Sequence, residues 1–259
     1  MGTLTLKNIK KSFKSKNGVL LALDDINIEI SEGEFVCILG PSGCGKSTLL
    51  NIIASLEKAS SGKVFLNDKE VKLPGPDRVV MFQEAALFPW LDVISNVSFG
   101  LKMAKVPKKE IKEIALRYLE MVNLTNFQNS YVHELSGGMK QRVALARALA
   151  MDSDVLLMDE PFAALDTLTK SVLLTELERI WLETKKTILF VTHNVSEALM
   201  LADRIIVLSA NPGKIKKEFK ISIERPREND NQEVLEISKE IMNELEMEDN
   251  HASQTEFNA

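Results

Sequence analysis

Cysteine is scarce in this sequence: two among 259 residues, Cys37 and Cys44, in neither a disulfide nor a metal-ligand spacing. That excludes a disulfide framework and a cysteine-built metal module. With no secretory signal segment, it also points to a reducing cytosol. Long apolar runs are missing too. The richest window, 143–158, is broken by Arg147, Asp152 and Asp154, and nothing approaches the roughly 18 consecutive apolar residues that a spanning helix needs. If the protein serves a membrane, another chain crosses it. There is no basic surplus, since the formal net charge is −5, and so no general footprint for nucleic acid. The deficit lies at the end: from Glu224 onward there are eleven acidic and three basic residues. Such a stretch reads as a solvated helix face. Internal repeats and low-complexity runs are absent as well.

What is present has ordinary globular texture, 45% hydrophobic and 27% charged, at a length that suits one large domain or one domain with an insertion. The segments TLTLKNI at 3–9 and INIEI at 26–30 alternate polar and apolar residues. Alternation predicts strands with one wet face, typical of antiparallel sheet. Three other runs are almost continuously apolar: FVCIL at 35–39, DVLLM at 154–158 and TILFV at 187–191. Runs of that kind fit parallel strands buried on both faces. Helical patterns lie between them, at 46–55, 139–150 and 168–184, so the expected fold is α/β around a mostly parallel sheet. An antiparallel β subdomain precedes it. The stretch 84–135 breaks the alternation and has helical periodicity at 108–122, which predicts an inserted α-helical subdomain. From about 231 to 259, Val234, Ile237, Ile241 and Leu245 form one apolar stripe, expected to dock an amphipathic helix on the main body.

Gly40, Pro41, Ser42, Gly43, Cys44, Gly45, Lys46, Ser47 and Thr48 match G-x-x-x-x-G-K-[S/T] completely. An apolar strand ends at Leu39 and a helix begins near Lys46, which is the context a P-loop requires. Glycines let successive backbone N–H groups turn inward around phosphate oxygens, and the helix N-terminus adds positive potential. Lys46 is expected to reach the β- and γ-phosphates and the Ser47 hydroxyl to hold Mg²⁺. Cys44 lies within the cradle, so a thiol reagent is expected to block turnover, with bound nucleoside triphosphate protecting.

The 154–158 strand runs into Asp159 and Glu160, then Pro161. A carboxylate at a strand end in a P-loop protein orders the Mg²⁺ shell, the role that suits Asp159. Glu160, one residue on, is placed to polarise the attacking water as a general base. His193 follows the 187–191 strand. On residues alone it serves either to cap the next helix or to meet the γ-phosphate, and the cap is favoured.

Ser136, Gly137 and Gly138 open another helix, a second nest of free N–H groups that one nucleotide rarely needs from one chain. The stretch LSGGMKQR at 135–142 resembles the signature motif of the ABC ATPases, in which this nest closes over ATP held by a partner subunit. Other marks of that family fall in order over nearly the whole chain to about 221. Gln83 matches the Q-loop glutamine, Asp159 and Glu160 the Walker B acids, and Ala163, Ala164, Leu165 and Asp166 the D-loop. His193 matches the switch histidine. Phe13 stands where the family stacks an aromatic ring, usually tyrosine, on adenine. Met139 and Asn194 replace a commoner glutamine and aspartate, and neither change removes a catalytic group.

The resemblance implies a P-loop NTPase core of RecA-like type spanning 1–230. Glu160, His193, Lys46 and Gln83 would act in hydrolysis, and Ser47, Gln83 and Asp159 would serve Mg²⁺. It further implies a head-to-tail homodimer on the cytoplasmic face of a membrane, bound to separate transmembrane permease subunits and indirectly to a substrate-binding protein. The apolar segment Leu87, Phe88, Pro89 and Trp90 is expected to help form a groove for a short helix of the permease. The patterns PGPDRVVMFQ at 74–83, FAALD at 162–166 and NPGKI at 211–215 are similar to importers of nitrate, sulfonate, taurine and bicarbonate. A soluble ABC ATPase without a transport role is the rival. Such relatives usually carry two ATPase units, long coiled-coil insertions or strongly basic surfaces.

Overall fold

The computed structural model describes residues 2–15, 18–227 and 231–256, with side chains described as far as 246 apart from that of Ser15. In chain order the elements are β1 (Leu4–Ser15), β2 (Gly18–Ile30), β3 (Phe35–Leu39), α1 (Lys46–Ile53), β4 (Ser61–Leu66), β5 (Lys69–Glu70) and β6 (Arg78–Met81). Then follow α2 (Val93–Met103), α3 (Lys108–Met121), α4 (Gly137–Ala150), β7 (Val155–Asp159) and α5 (Thr167–Thr184). The chain ends with β8 (Thr187–Val191), α6 (Val195–Leu201), β9 (Arg204–Leu208), β10 (Ile215–Lys220) and α7 (Gln232–Glu256). Two compact units result, one from Met1–Pro74 with Lys186–Ala259, the other from Gly75–Lys185.

The first unit contains the alternating strands. β1 pairs antiparallel with β2 on one edge and β4 on the other, and β5 follows β4. Leu4 faces Ile30 and Leu6 faces Ile28 across the ladder, and all four are buried. Their polar neighbours Lys7 and Glu29 stay exposed, so the period-2 pattern becomes a sheet with one dry face. The same unit holds the order β10–β9–β3–β8. β3 runs parallel to both β8 and β9, and β10 closes the edge antiparallel to β9. Every residue of β3 and β8 is buried, because α1 packs on β8 and α6 on β3. The continuous apolar runs of the sequence are the consequence of that double cover.

The chain beyond β10 is pinned by Arg227, 5% exposed. Its guanidinium donates to the carbonyls of Leu199 (2.8 Å) and Ala202 (2.6 Å) at the end of α6, and to those of Ile221 (3.3 Å) and Ile223 (2.9 Å). A cation there satisfies carbonyls that a helix end leaves open and complements its dipole. α7 packs on α6 and β9. Val234 and Ile241 of the stripe are buried, Ile237 and Leu245 half-buried. Lys216 ties the helix down through the Glu244 carbonyl (2.8 Å) and carboxylate (3.3 Å). The acidic side chains at 248, 249 and 256, and residues 228–230, lie outside the described residues.

The second unit pairs β6 and β7 in parallel, with α2, α3 and α4 packed on one another between them in the chain. The periodicity at 108–122 becomes α3. α2 is started by Asp92, whose carboxylate accepts from the Ser95 amide at 2.8 Å. Asn96, fully buried, binds the Phe88 amide (2.8 Å) and the carbonyls of Phe88 (3.2 Å), Leu91 (3.2 Å) and Asp92 (3.0 Å), fixing the segment ahead of the helix.

Replacing Arg227 by leucine leaves four carbonyls short of a donor. The expected loss is about 2–4 kcal/mol of unfolding free energy in urea denaturation; a change within about 0.5 kcal/mol, ordinary for a surface site, would contradict that role.

Candidate functional site

In the first unit, Ile38 of β3 lies opposite Val191 of β8, and the Thr192 amide donates to the Ile38 carbonyl at 3.2 Å. The chain after β3 and the chain after β8 therefore leave the sheet at one end. The first is the loop 40–48; the second carries His193. Gly45 has φ 97°, and a Cβ on it would stand 2.7 Å from Leu23 Cδ2 and 3.2 Å from the Ala22 carbonyl. Only glycine lets the loop turn there. α1 begins at once, with no side-chain cap and no acid in its first turn, and the positive potential of such a helix start suits an anion. Lys46 is 6% exposed, and its ammonium donates to the carbonyls of Gly40 (2.8 Å) and Pro41 (2.9 Å).

One expectation changes, and one alternative for His193 falls away. Cys44 is 1% exposed, its thiol packed so close to Gly40 that a Cβ there would lie 2.7 Å from the sulfur. The thiol faces inward while the backbone faces the cradle, so easy alkylation of the folded protein is not expected. His193 is exposed and is not the helix cap. Asn194 is: its Oδ1 accepts from the Glu197 amide at 3.1 Å. The turn that presents His193 is set by Thr192, whose hydroxyl donates to the buried Glu197 carboxylate (2.6 Å) and accepts from the Asn194 amide (3.0 Å). Phe13 lies on β1 opposite Leu20 and is 36% exposed.

The second unit repeats the device. Met81 of β6 pairs with Met158 of β7, so Gln83 and the pair Asp159 and Glu160 emerge from one end of that ladder. Glu160 has φ 44°, a left-handed backbone that costs a non-glycine residue about 1–3 kcal/mol and gathers at functional sites. The buried Pro161 and Phe162 that follow hold it there. Ser136 caps α4, its Oγ accepting from the Met139 amide at 3.3 Å, and Ser136 and Gly137 are exposed. Gly138 packs closely on Thr169, where a Cβ would meet Thr169 Cγ2 at 2.5 Å. Thr169 also donates its amide to Asp166 at 3.1 Å. Hydrogen bonding from the Thr169 side chain, and then from its amide, holds the Asp166 carboxyl below the usual aspartate range, and the same threonine thus links the D-loop to the glycine nest.

Sequence reasoning missed the supports of Gln83. Gln141 of α4 donates to the Gln83 carbonyl at 2.8 Å. Arg147, one helical face further, donates to the carbonyls of Ala85 and Ala86, both at 2.8 Å. The available signal was Gln141 and Arg147, two of the four polar side chains on a helix otherwise rich in alanine and leucine.

The donor types fit ATP and Mg²⁺. The loop offers glycine-freed amides and an ammonium for phosphates, and a hydroxyl, an amide and a carboxylate (Ser47, Gln83, Asp159) are the hard oxygen donors Mg²⁺ prefers. Among the described residues no group of three or more His, Cys, Asp or Glu could hold a metal alone; Mg²⁺ bound largely by phosphate and water needs none.

Comparison with known proteins decides the family. Residues 23–163 match the model of the ABC transporter family. The chain belongs to the ABC transporter family of ATP-binding proteins. It is 51% identical to an uncharacterised ABC transporter ATP-binding protein of Methanocaldococcus jannaschii, over 95% of this chain and 92% of that one. A nitrate import ATP-binding protein of Synechocystis is 46% identical, over 92% and 89%. An aliphatic sulfonates import ATP-binding protein of Bacillus cereus is 42% identical, over 94% and 96%. Among solved structures, a dimeric ATP-binding cassette in a post-hydrolysis state with ADP and Pi superposes with a TM-score of 0.74 at 35% identity, covering 85% of this chain and all of that one. This ABC protein is accordingly an ATP hydrolase with the α/β cassette fold.

In this ABC protein, Gln141→Met removes one hydrogen bond from the Gln83 backbone. Turnover at saturating ATP should fall about three- to tenfold, the equivalent of roughly 1 kcal/mol; an unaltered rate would show that Gln83 needs no such support. The Cys44 thiol should react with iodoacetamide at least about tenfold more slowly in the native protein than in urea, as followed by intact-mass spectrometry; equal rates would mean the loop opens freely.

Proposed function

We propose that this chain is the ATP-binding and ATP-hydrolysing subunit of an importer for a small solute of the nitrate, sulfonate, taurine or bicarbonate kind. The solute crosses through separate transmembrane subunits, fed by a substrate-binding protein, while this chain sits on the cytoplasmic side of the membrane. The observation that carries the proposal is the pair of shared strand ends. β3 and β8 present the phosphate loop with His193, and β6 and β7 present Gln83 with Asp159 and Glu160. No helix among the described residues is long and apolar enough to cross a membrane, which fits a motor acting on other chains.

Each residue then has a task its position suits. Loop 40–48 wraps the phosphates with backbone amides. Lys46 exchanges its loop carbonyls for β- and γ-phosphate oxygens. Ser47, Gln83 and Asp159 would hold Mg²⁺, which neutralises phosphate charge during transfer. Glu160 polarises the attacking water, and His193 contacts the γ-phosphate. The exposed Ser136 and Gly137, with the half-buried Gly138, close over ATP bound by a second copy. ATP favours the closed pair because it contacts both copies only when they are closed, and loss of the γ-phosphate removes part of that difference.

The helical region 84–135 takes the permease contact. In the second unit Phe88 lines a cleft of about 300 Å³ together with Phe99, Met81, Ala144 and Met151, and Trp90 beside it is 71% exposed. An apolar cleft of that size suits the apolar face of a short helix.

Glu160→Gln keeps the size and removes the base. Hydrolysis should drop at least about 100-fold, and a dimer should appear in size-exclusion chromatography with ATP and vanish without it. A variant that binds ATP yet hydrolyses at the parental rate would remove Glu160 from the mechanism.

A further inference from the structure

Lysine rarely gives up its water, yet Lys11 is 9% exposed. It stands two residues before Phe13 on β1, at a point where the β1–β2 register shifts on both sides of it. Such an irregularity re-aims a side chain, and here the ammonium comes to 4.6 Å from the centroid of the Phe13 ring. The same ammonium donates to the Glu57 carboxylate at 2.6 Å and to the Lys58 carbonyl at 2.8 Å. Glu57 is not a loose surface acid. Its amide donates to the Asn51 carbonyl at 3.1 Å, within α1, and the Leu56 amide does so at 2.9 Å. α1 is the helix whose start carries the phosphate loop. A chain of short contacts therefore runs from the loop's helix through Glu57 and Lys11 to the aromatic ring.

We propose that Lys11 is a positioning residue for the Phe13 ring, holding it at a set place relative to the phosphate loop so that the base contributes to ATP affinity. This rests on the assignment of Phe13 as the adenine platform. The physics has two parts. A ring clamped in advance loses little freedom when a base stacks on it. A cation on one side also draws π density toward itself, which leaves the other side less repulsive to an electron-rich purine.

The test compares ATP with inorganic tripolyphosphate, which has the phosphates and no base, by titration calorimetry on the full chain. Lys11→Met keeps an unbranched side chain one atom shorter and loses the charge. ATP affinity should fall about three- to tenfold while tripolyphosphate affinity holds. Lys11→Arg, which retains a cation over the ring, should keep the parental ratio, and Glu57→Gln should lose part of it. Equal loss for both ligands, or no loss for either, in Lys11→Met would overturn the proposal. Phe13→Ala run alongside separates the two ideas. If it lowers ATP affinity selectively and Lys11→Met does not, only the role of Lys11 fails. If Phe13→Ala leaves the ratio unchanged, the adenine platform fails and the role of Lys11 with it.

Discussion

Parallel strand pairing is the constraint on which the rest depends. In a parallel ladder the partners point the same way, so whatever follows each strand leaves at the same end. The pairing of Ile38 with Val191 does this for the phosphate loop and His193, and the pairing of Met81 with Met158 for Gln83 and the acids at 159 and 160. Burial on both faces holds these strands against slippage, since any shift would open the apolar ladder to the helices that cover it. The functional side chains themselves sit on turns just past the last paired residue. There the backbone takes the positive φ of Gly45 and Glu160 without interrupting a pairing.

Those turns are held by their neighbours. The His193 turn hangs on Thr192 and Glu197. The Gln83 segment hangs on Gln141 and Arg147, both from the helix that begins with the Ser136 nest. α4 thus serves twice, presenting exposed amides at its start and bracing a strand exit further along. Asn96 does similar work for the segment that carries Phe88, with one fully buried amide side chain meeting four backbone groups. In each case a polar side chain satisfies backbone groups that leave regular structure at a functional turn, where an unpaired buried group would cost about 1–3 kcal/mol.

Much of this was legible in the sequence, for definable reasons. The runs at 35–39 and 187–191 coincide with β3 and β8 because strands buried on both faces are almost wholly apolar, the buried Thr187 being hydrogen-bonded to the Gly2 carbonyl and the Gly33 amide. The alternation at 3–9 and 26–30 became the half-wet sheet because side chains alternate with period two. The phosphate loop was legible because its chemistry needs fixed glycines, a lysine and a hydroxyl at fixed spacing. The Ser-Gly-Gly nest resembled the ABC signature, and the family match bore that out. Less visible was the direction of each side chain. Cys44 lies inside the motif yet faces the core, and the capping role open to His193 fell to the adjacent Asn194. One residue of offset is below the resolution of pattern, because two neighbouring polar residues at a strand end are equivalent until the helix start is placed.

By itself the sequence determined the strands at 3–9, 26–30, 35–39, 154–158 and 187–191, the order of the motifs and the chemistry of the nucleotide loop, because each follows from local periodicity or from residue type at short spacing. Only the tertiary structure decided which side chains brace them. The contacts of Gln141 with Gln83, Arg227 with the end of α6, and Lys11 with Phe13 and Glu57 join positions far apart in the chain or re-aimed by a ladder irregularity. Such contacts depend on how packed elements meet in space, and no spacing within one segment encodes them.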